Sequence, residues 1–398
     1  MKKTNNFAVI NLISLFMNAL LKKIGLPLLC LAALGLSSCT QSKYSYETVP
    51  NDPLQARIYT LDNGLKVYMT VNKDEPRIQT YIAVRVGGKN DPAETTGLAH
   101  YFEHLMFKGT NHFGTMNYEA EKPLLDQIEQ TFEIYRKTTD EAERKAIYHT
   151  IDSLSYEASK YAIPNEYDKL MAAIGANGTN AYTSFDVTCY TEDIPSNEVE
   201  NWAKIQSERF KNCVIRGFHT ELETVYEEKN MSLTRDARKV YEQTLAALFP
   251  HHPYGTQTVL GTQEDLKNPS ITNIKNYFKT WYVPNNMAIC LSGDFDPDQM
   301  IATIDKYFGD MQSNPNLPKL NLPKEADITA PVVREVLGPE AENVTLAWRF
   351  PGAASKELET LQIVSQILYN GQAGLIDLDL TQQQKTLSAY CYPMAMSD

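Results

Sequence analysis

The sequence predicts an α+β protein: a two-layer domain in which a mostly antiparallel sheet is covered by helices, followed by an incomplete second copy of the same unit. Two β-patterned segments joined by Asn63-Gly64 open a sheet, and helical runs then separate them from further strand patterns. A strand, strand, helix order recurs after a proline-rich stretch. The 398 residues suit two domains, and 43% hydrophobic with 22% charged residues is an ordinary globular composition.

The N-terminus carries an apolar stretch over residues 1–16 and a second, IGLPLLCLAALGL, from Ile24 to Leu36 behind Lys22 and Lys23. The second is too short to remain as a bilayer-spanning helix. Its ending, Leu36-Ser37-Ser38-Cys39, resembles the lipobox of bacterial lipoproteins. That resemblance implies a signal peptide over 1–39, lipidation at Cys39, and an exported chain anchored by lipid in the bacterial cell envelope, on its periplasmic side. Met17 is an alternative start. Of six cysteines, Cys189, Cys213, Cys290 and Cys391 lie beyond this segment, at spacings that match no zinc or disulfide framework. Buried thiols are expected.

A polar tether over 40–53 leads into the first unit, 54–311. ARIYTL and LKVYMTV flank Asp62-Asn63-Gly64, where Asn-Gly supplies the positive φ angles of a tight hairpin. A third strand starts at Arg77 and ends at paired glycines, and a polar loop leads into a helix at Thr95 or Thr96. Residues 118–162 read as a helical pair broken near Thr138, with a solvated outer face. GTNAYTSFDVTCYTEDI, 178–194, reads as one long strand. Helices are expected over 196–212 and 218–248, a strand at 287–293 and a helix at 297–310. Residues 312–331, rich in proline, read as a linker. Beyond it, 332–398 is a partial second repeat without histidine: VVREVL, NVTLAWRFPG, a helix from Ser355 to Asn370 and a last strand, LSAYCYPM. So little material cannot bury both faces of a two-layer domain, which suggests a truncated chain.

The net charge of −12, with no basic stripe, excludes a nucleic-acid partner. Chemistry concentrates in residues 97–108, GLAHYFEHLMFK, where His100, Glu103 and His104 leave one face of a helix in a chain of seven histidines. Two imidazoles one turn apart can converge on one ion. A catalytic zinc needs a third protein ligand. On TELETVYEEKNM, Glu221 and Glu228 lie two turns apart, about 20° from alignment and roughly 10.5 Å along the axis, so they share a stripe. Glu223 and Glu227 point elsewhere.

The HYFEH motif matches the inverted zinc motif HxxEH. Together with the surrounding GLAHYFEHLMFKGT, the downstream GTNAYTS and the ELETVYEE helix, it resembles the insulinase or pitrilysin family of metallopeptidases over about residues 54–398. The resemblance implies that His100, His104 and Glu228 bind one Zn2+, that Glu103 is the general base, and that Glu221 orients a ligand. The separation from His104 to Glu228 exceeds the family's usual spacing, so Glu227 or Glu221 stands as an alternative ligand unless 118–162 is an insertion. It also implies that Asn180, Ala181 and Tyr182 lie on an open strand edge that takes up peptide backbone, whereas residue pattern alone favours a core strand. The resulting expectation is a zinc-dependent endopeptidase acting on peptides or unfolded segments, enclosed by a second peptidase-like half, fused or separate. His252, Pro253 and Tyr254 are expected to form a structural turn. The alternative is a non-catalytic scaffold or partner subunit, as some members of the family have become.

Overall fold

In the computed structural model, which describes residues 43–398, the chain enters its sheet through β1 (Tyr46–Glu47) and β2 (Arg57–Thr60), and β2 turns back into β3 (Lys66–Val71). The expected signal segment, Cys39 and the start of the tether lie outside the described residues. At the hairpin Gly64 alone takes a positive φ, +84°. Asn63 instead donates its side-chain amide to the Phe308 carbonyl at 2.8 Å, so the turn is also a tie to a distant helix end.

Four more strands, β4 (Arg77–Val84), β5 (Asn177–Thr183), β6 (Thr188–Pro195) and β7 (Met287–Gly293), complete a seven-stranded sheet of order β1-β2-β3-β7-β4-β6-β5. Only β3 and β7 pair in parallel; every other pair is antiparallel. The late strand β7 slots between two early ones and shields them from becoming edges. Ile78, Ile82, Val84, Ile289 and Leu291 on the central strands are buried, as two-period patterning requires.

Helices cover this sheet: α1 (Leu98–Leu105), the hairpin of α2 (Tyr118–Lys137) and α3 (Glu141–Ser159), α4 (Glu166–Ala173) and α5 (Val199–Asn212). They are followed by α6 (Phe218–Leu233), α7 (Asp236–Leu248), α8 (Ile271–Trp281), α9 (Pro297–Phe308) and α10 (Glu357–Leu368). Asn117 and Asp140 cap α2 and α3, each accepting the N–H of the residue three positions on.

Three expectations need correction. The long strand over 178–194 is a hairpin, because the Ser184 hydroxyl accepts the N–H groups of Asp186 and Val187 at 3.1 Å and turns the chain. The helix expected over 218–248 breaks at Arg235, whose φ of −92° and ψ of 123° are extended, and α7 restarts at Asp236. Beyond Gln312, α10 forms, but VVREVL, NVTLAWRFPG and LSAYCYPM run without strand. Leu337, Val344 and Leu387 there are more than 85% exposed. A β-patterned segment with no neighbour to satisfy its N–H and C=O groups gains nothing from extending. Cys189 is buried, Cys213, Cys290 and Cys391 are partly so, and all four are free thiols.

Candidate metal centre

Helix α1 is held at its start and at its middle. At its start Asp91 accepts the N–H groups of Gly97 and Ala99 at 2.8 and 2.9 Å, which satisfies donors that no helical carbonyl can reach. At its middle the Tyr101 hydroxyl donates to the Phe218 carbonyl at 2.5 Å, and the two rings lie 4.9 Å apart. That contact sets where α6 begins against α1, and hence which α6 side chains face the histidines.

Two turns of α6 then do the rest. Glu221 Oε1 lies 2.8 Å from His104 Nδ1, and Glu228 Oε2 lies 3.7 Å from His100 Nε2 and 3.5 Å from His104 Nε2. The donor atoms of His100, His104 and Glu228 all fall within 4.8 Å of one another. Two ligands at zinc bond lengths on a tetrahedron stand about 3.4 Å apart, so a small divalent ion fits with little adjustment. Glu227 is exposed and among the described residues bonds only Asn230, and Glu221 is turned to the far nitrogen of His104, so of the three glutamates only Glu228 groups with both histidines.

The electrostatics are uneven. Burial, with smaller effects of His104 and Arg238, pushes His100 down to about 3, so its imidazole is neutral. For His104 burial works in the same direction, but the Glu221 hydrogen bond and the charges of Glu221, Glu228 and Glu103 outweigh it and raise its pKa. Glu221 accepts from Nδ1–H, which fixes the tautomer and leaves the Nε2 lone pair on the side of Glu228. Burial opposes the charge on Glu221, yet the hydrogen bonds from His104 and Lys108 hold it below the usual carboxylate range. Lys108 and Glu221 are in direct contact.

Glu103 belongs to the same face but not to the donor cluster. Its Oε2 accepts the Thr183 hydroxyl at 2.5 Å, which tethers it to β5. Burial raises its pKa, and the Thr183 bond only partly offsets this. A carboxyl so placed can both take and return a proton.

These groups line a cleft of about 670 Å³ together with Asn180, Ala181 and Tyr182 of β5, Arg238, Tyr241 and Glu242 of α7, Tyr254, Gly255 and residues 257–260. β5 is the last strand of the sheet, so its outer edge pairs with no described strand, and Tyr182 is 50% exposed. The core-strand reading of NAYTS is therefore corrected to an edge. His252 accepts the Tyr254 N–H at 3.2 Å and caps a one-turn helix, the expected structural turn. His112 and His251 sit at the surface on Glu208 and Glu325, and buried His219 pairs with Asp152. Sequence reasoning missed Thr183, Lys108 and Arg238. Lys108 stands one helical turn beyond His104 and Thr183 alternates with Ala181, so both carried a spacing signal; Arg238 carried none.

A family model described as "Insulinase (Peptidase family M16)" matches residues 66–124, which include the histidine helix, and one described as "Peptidase M16 inactive domain" matches 270–398. "Zinc protease PqqE" of Helicobacter pylori is 22% identical over 385 residues, covering 94% of this chain and 73% of that protein. The chain spans 45% and 40% of the length of two other curated relatives, fewer than half of their residues. A solved protease from Helicobacter pylori superposes with a TM-score of 0.60 at 21% identity, covering 89% of this chain and 73% of that one. The first half of the periplasmic protease PqqL from Escherichia coli does so with a TM-score of 0.50 at 17% identity, over 71% of this chain and 51% of that one. At these identities the structural likeness bears on the fold alone. No described helix is long and apolar enough to cross a membrane.

Proposed function

The chain belongs to the insulinase, or M16, family of peptidases, and from that premise we propose that it is a zinc-dependent endopeptidase acting on peptides or unfolded polypeptide segments. One observation carries the reading: two imidazoles and the Glu228 carboxylate converge from separate helices while a fourth polar group, Glu103, is held apart on Thr183. A scaffold has no use for that division of labour.

His100, His104 and Glu228 would hold the ion. When bound, zinc there supplies a Lewis acid that polarises a carbonyl and makes water acidic enough to ionise near neutral pH. Glu103 accepts the proton from the attacking water and delivers it to the departing amine, so no covalent intermediate is required. Thr183 keeps the Glu103 carboxyl aimed into the cleft. The free edge of β5 at Asn180, Ala181 and Tyr182 takes the substrate backbone as an added strand, which favours extended chains over a particular sequence. Glu221, backed by Lys108, orients His104 through Nδ1.

Residues 54–311 would form the catalytic unit, 312–331 a linker and 332–398 part of a metal-free second repeat. The "Peptidase M16 inactive domain" match takes in 332–398 and so supports a metal-free second repeat there, although it begins at 270 and also covers β7 and α9 of the first unit. A second peptidase-like half would close over the cleft; PqqL, whose first half is the solved structure similar to this chain, supports that arrangement. The lipobox-like ending at Cys39 supports export and anchoring at the membrane by lipid, facing the periplasm.

The test is metal content and cleavage of a quenched fluorescent peptide, before and after chelation. The wild-type chain should bind one zinc and lose cleavage with the metal. Glu103→Gln should retain zinc and lose cleavage by about two to four orders of magnitude. Full activity in Glu103→Gln, or a chain without metal that still cleaves, would sink the proposal.

A further inference from the structure

We propose that Arg238 makes the cleft select substrates carrying an acidic side chain, in a subsite formed by α7; this rests on the peptidase reading above and names the substrate class for that same site. Arg238 is the one Arg or Lys among the described residues lining the cleft. That stands out in a chain of net charge −12, in a cleft that also presents Glu103 and Glu228.

The local charge count leaves Arg238 with surplus positive charge. Its Nε donates to Glu242 Oε1 at 2.9 Å, but the same oxygen also receives the ammonium of Lys229 at 3.0 Å. Lys229 is buried, at 4% exposure, and also reaches the Thr258 hydroxyl at 3.3 Å, so its ammonium is held against Glu242. One carboxylate thus faces two cations. The terminal amino groups of Arg238 carry no hydrogen bond among the described residues, and its guanidinium lies 5.6 Å from the Tyr241 ring, which braces one of its faces. A fork of N–H donors, fixed at Nε and free at its tips, matches the two oxygens of a carboxylate. Being partly buried, the pair it would form escapes the full screening of water.

The same geometry states where the acid is admitted. Beside Glu103 a substrate carboxylate meets like charge, whereas on the α7 side it meets the guanidinium of Arg238. Beyond Arg238, Phe185, Leu245 and Tyr254 form an apolar cluster. An extended peptide carrying one Asp or Glu with apolar neighbours is the ligand this surface fits.

The test uses the full chain as Glu103→Gln, loaded with zinc, so that binding is read without turnover. Fluorescein-labelled extended peptides, identical except for Glu, Gln or Lys at one position that is moved along the peptide, are titrated by anisotropy. At one position the Glu peptide should bind roughly tenfold more tightly than the Gln peptide. Adding Arg238→Met should bring that ratio to about one, Arg238→Lys should keep part of it, and Arg238→Glu should turn the preference to the Lys peptide. Retention of partial preference in Arg238→Lys separates loss of charge from loss of fold. Equal binding at every position, no binding of any peptide, or a preference that survives Arg238→Met overturns the proposal. Hydrolysis by the wild-type chain reports separately: cleavage without acidic preference removes the Arg238 subsite alone, while acid-selective binding without cleavage by the wild type removes the endopeptidase reading alone.

Discussion

In the proposed metal centre, Glu221 illustrates how a side chain can matter without supplying a ligand. It accepts from His104 Nδ1 and is itself held by Lys108, so His104 loses both its tautomer and its orientation if that carboxylate goes. Glu221→Gln is expected to weaken zinc affinity by about ten- to a hundredfold, read by competition with a chromogenic chelator, while Glu227→Gln leaves it unchanged. Glu228→Gln should abolish stable binding. His252 offers a pH dependence away from the centre. Burial is the main cause that lowers its pKa from 6.5 in the fold, and its Nδ1 accepts the Tyr254 N–H only while unprotonated. A depressed folded pKa gives stability that is present above the unfolded value and lost as pH falls through the folded one. The urea midpoint should therefore fall on acidification below about 6.5, and less steeply in His252→Asn.

Among elements, the α2–α3 hairpin reaches the centre through one buried ion pair. Arg216 grips Glu121 of α2 at 2.6 and 2.9 Å and donates to the carbonyls of Lys108 and Thr110 at 2.8 and 3.0 Å. The segment that leaves α1 is thereby pinned to the α2–α3 hairpin. Glu121→Leu leaves a buried guanidinium without its partner and should cost about 3 kcal/mol of unfolding free energy in urea at neutral pH. The start of α1 depends on a different device. Gly97, at φ +83°, lies so close to Gly261 that an added Cβ would stand 2.7 Å from its Cα. Gly97→Ala combines that clash with an unfavourable φ, so a loss of stability of about 2 kcal/mol or more is expected from the same measurement. These contacts escaped the sequence reading because each joins residues far apart along the chain. The breaks at Ser184 and Arg235 escaped it because a short side-chain-bonded turn and a single extended residue do not disturb periodicity on either side.

At the scale of the whole molecule, a proposed second half has a kinetic consequence. If closure over the cleft comes from another copy, cleavage per chain should rise with protein concentration across the micromolar range and then level off; a rate strictly proportional to concentration would argue against it. Ile363 and Ile367 of α10, 63% and 58% exposed, give such a copy an apolar face to cover. Much of the architecture was legible beforehand: the hairpin at Asn63-Gly64, the helical pair, the late strand at 287–293 and the mostly antiparallel sheet all have local periodic or turn signatures. The spacing of His100, Glu103 and His104 was likewise written in one helix, because positions one turn apart share a face wherever that helix lies. What periodicity could not decide was which glutamate of α6 meets them, that β5 is an edge, or that Arg238 enters the cleft. Those depend on the Tyr101–Phe218 contact, on strand order and on the break before α7, each set by packing between segments that local pattern treats as independent.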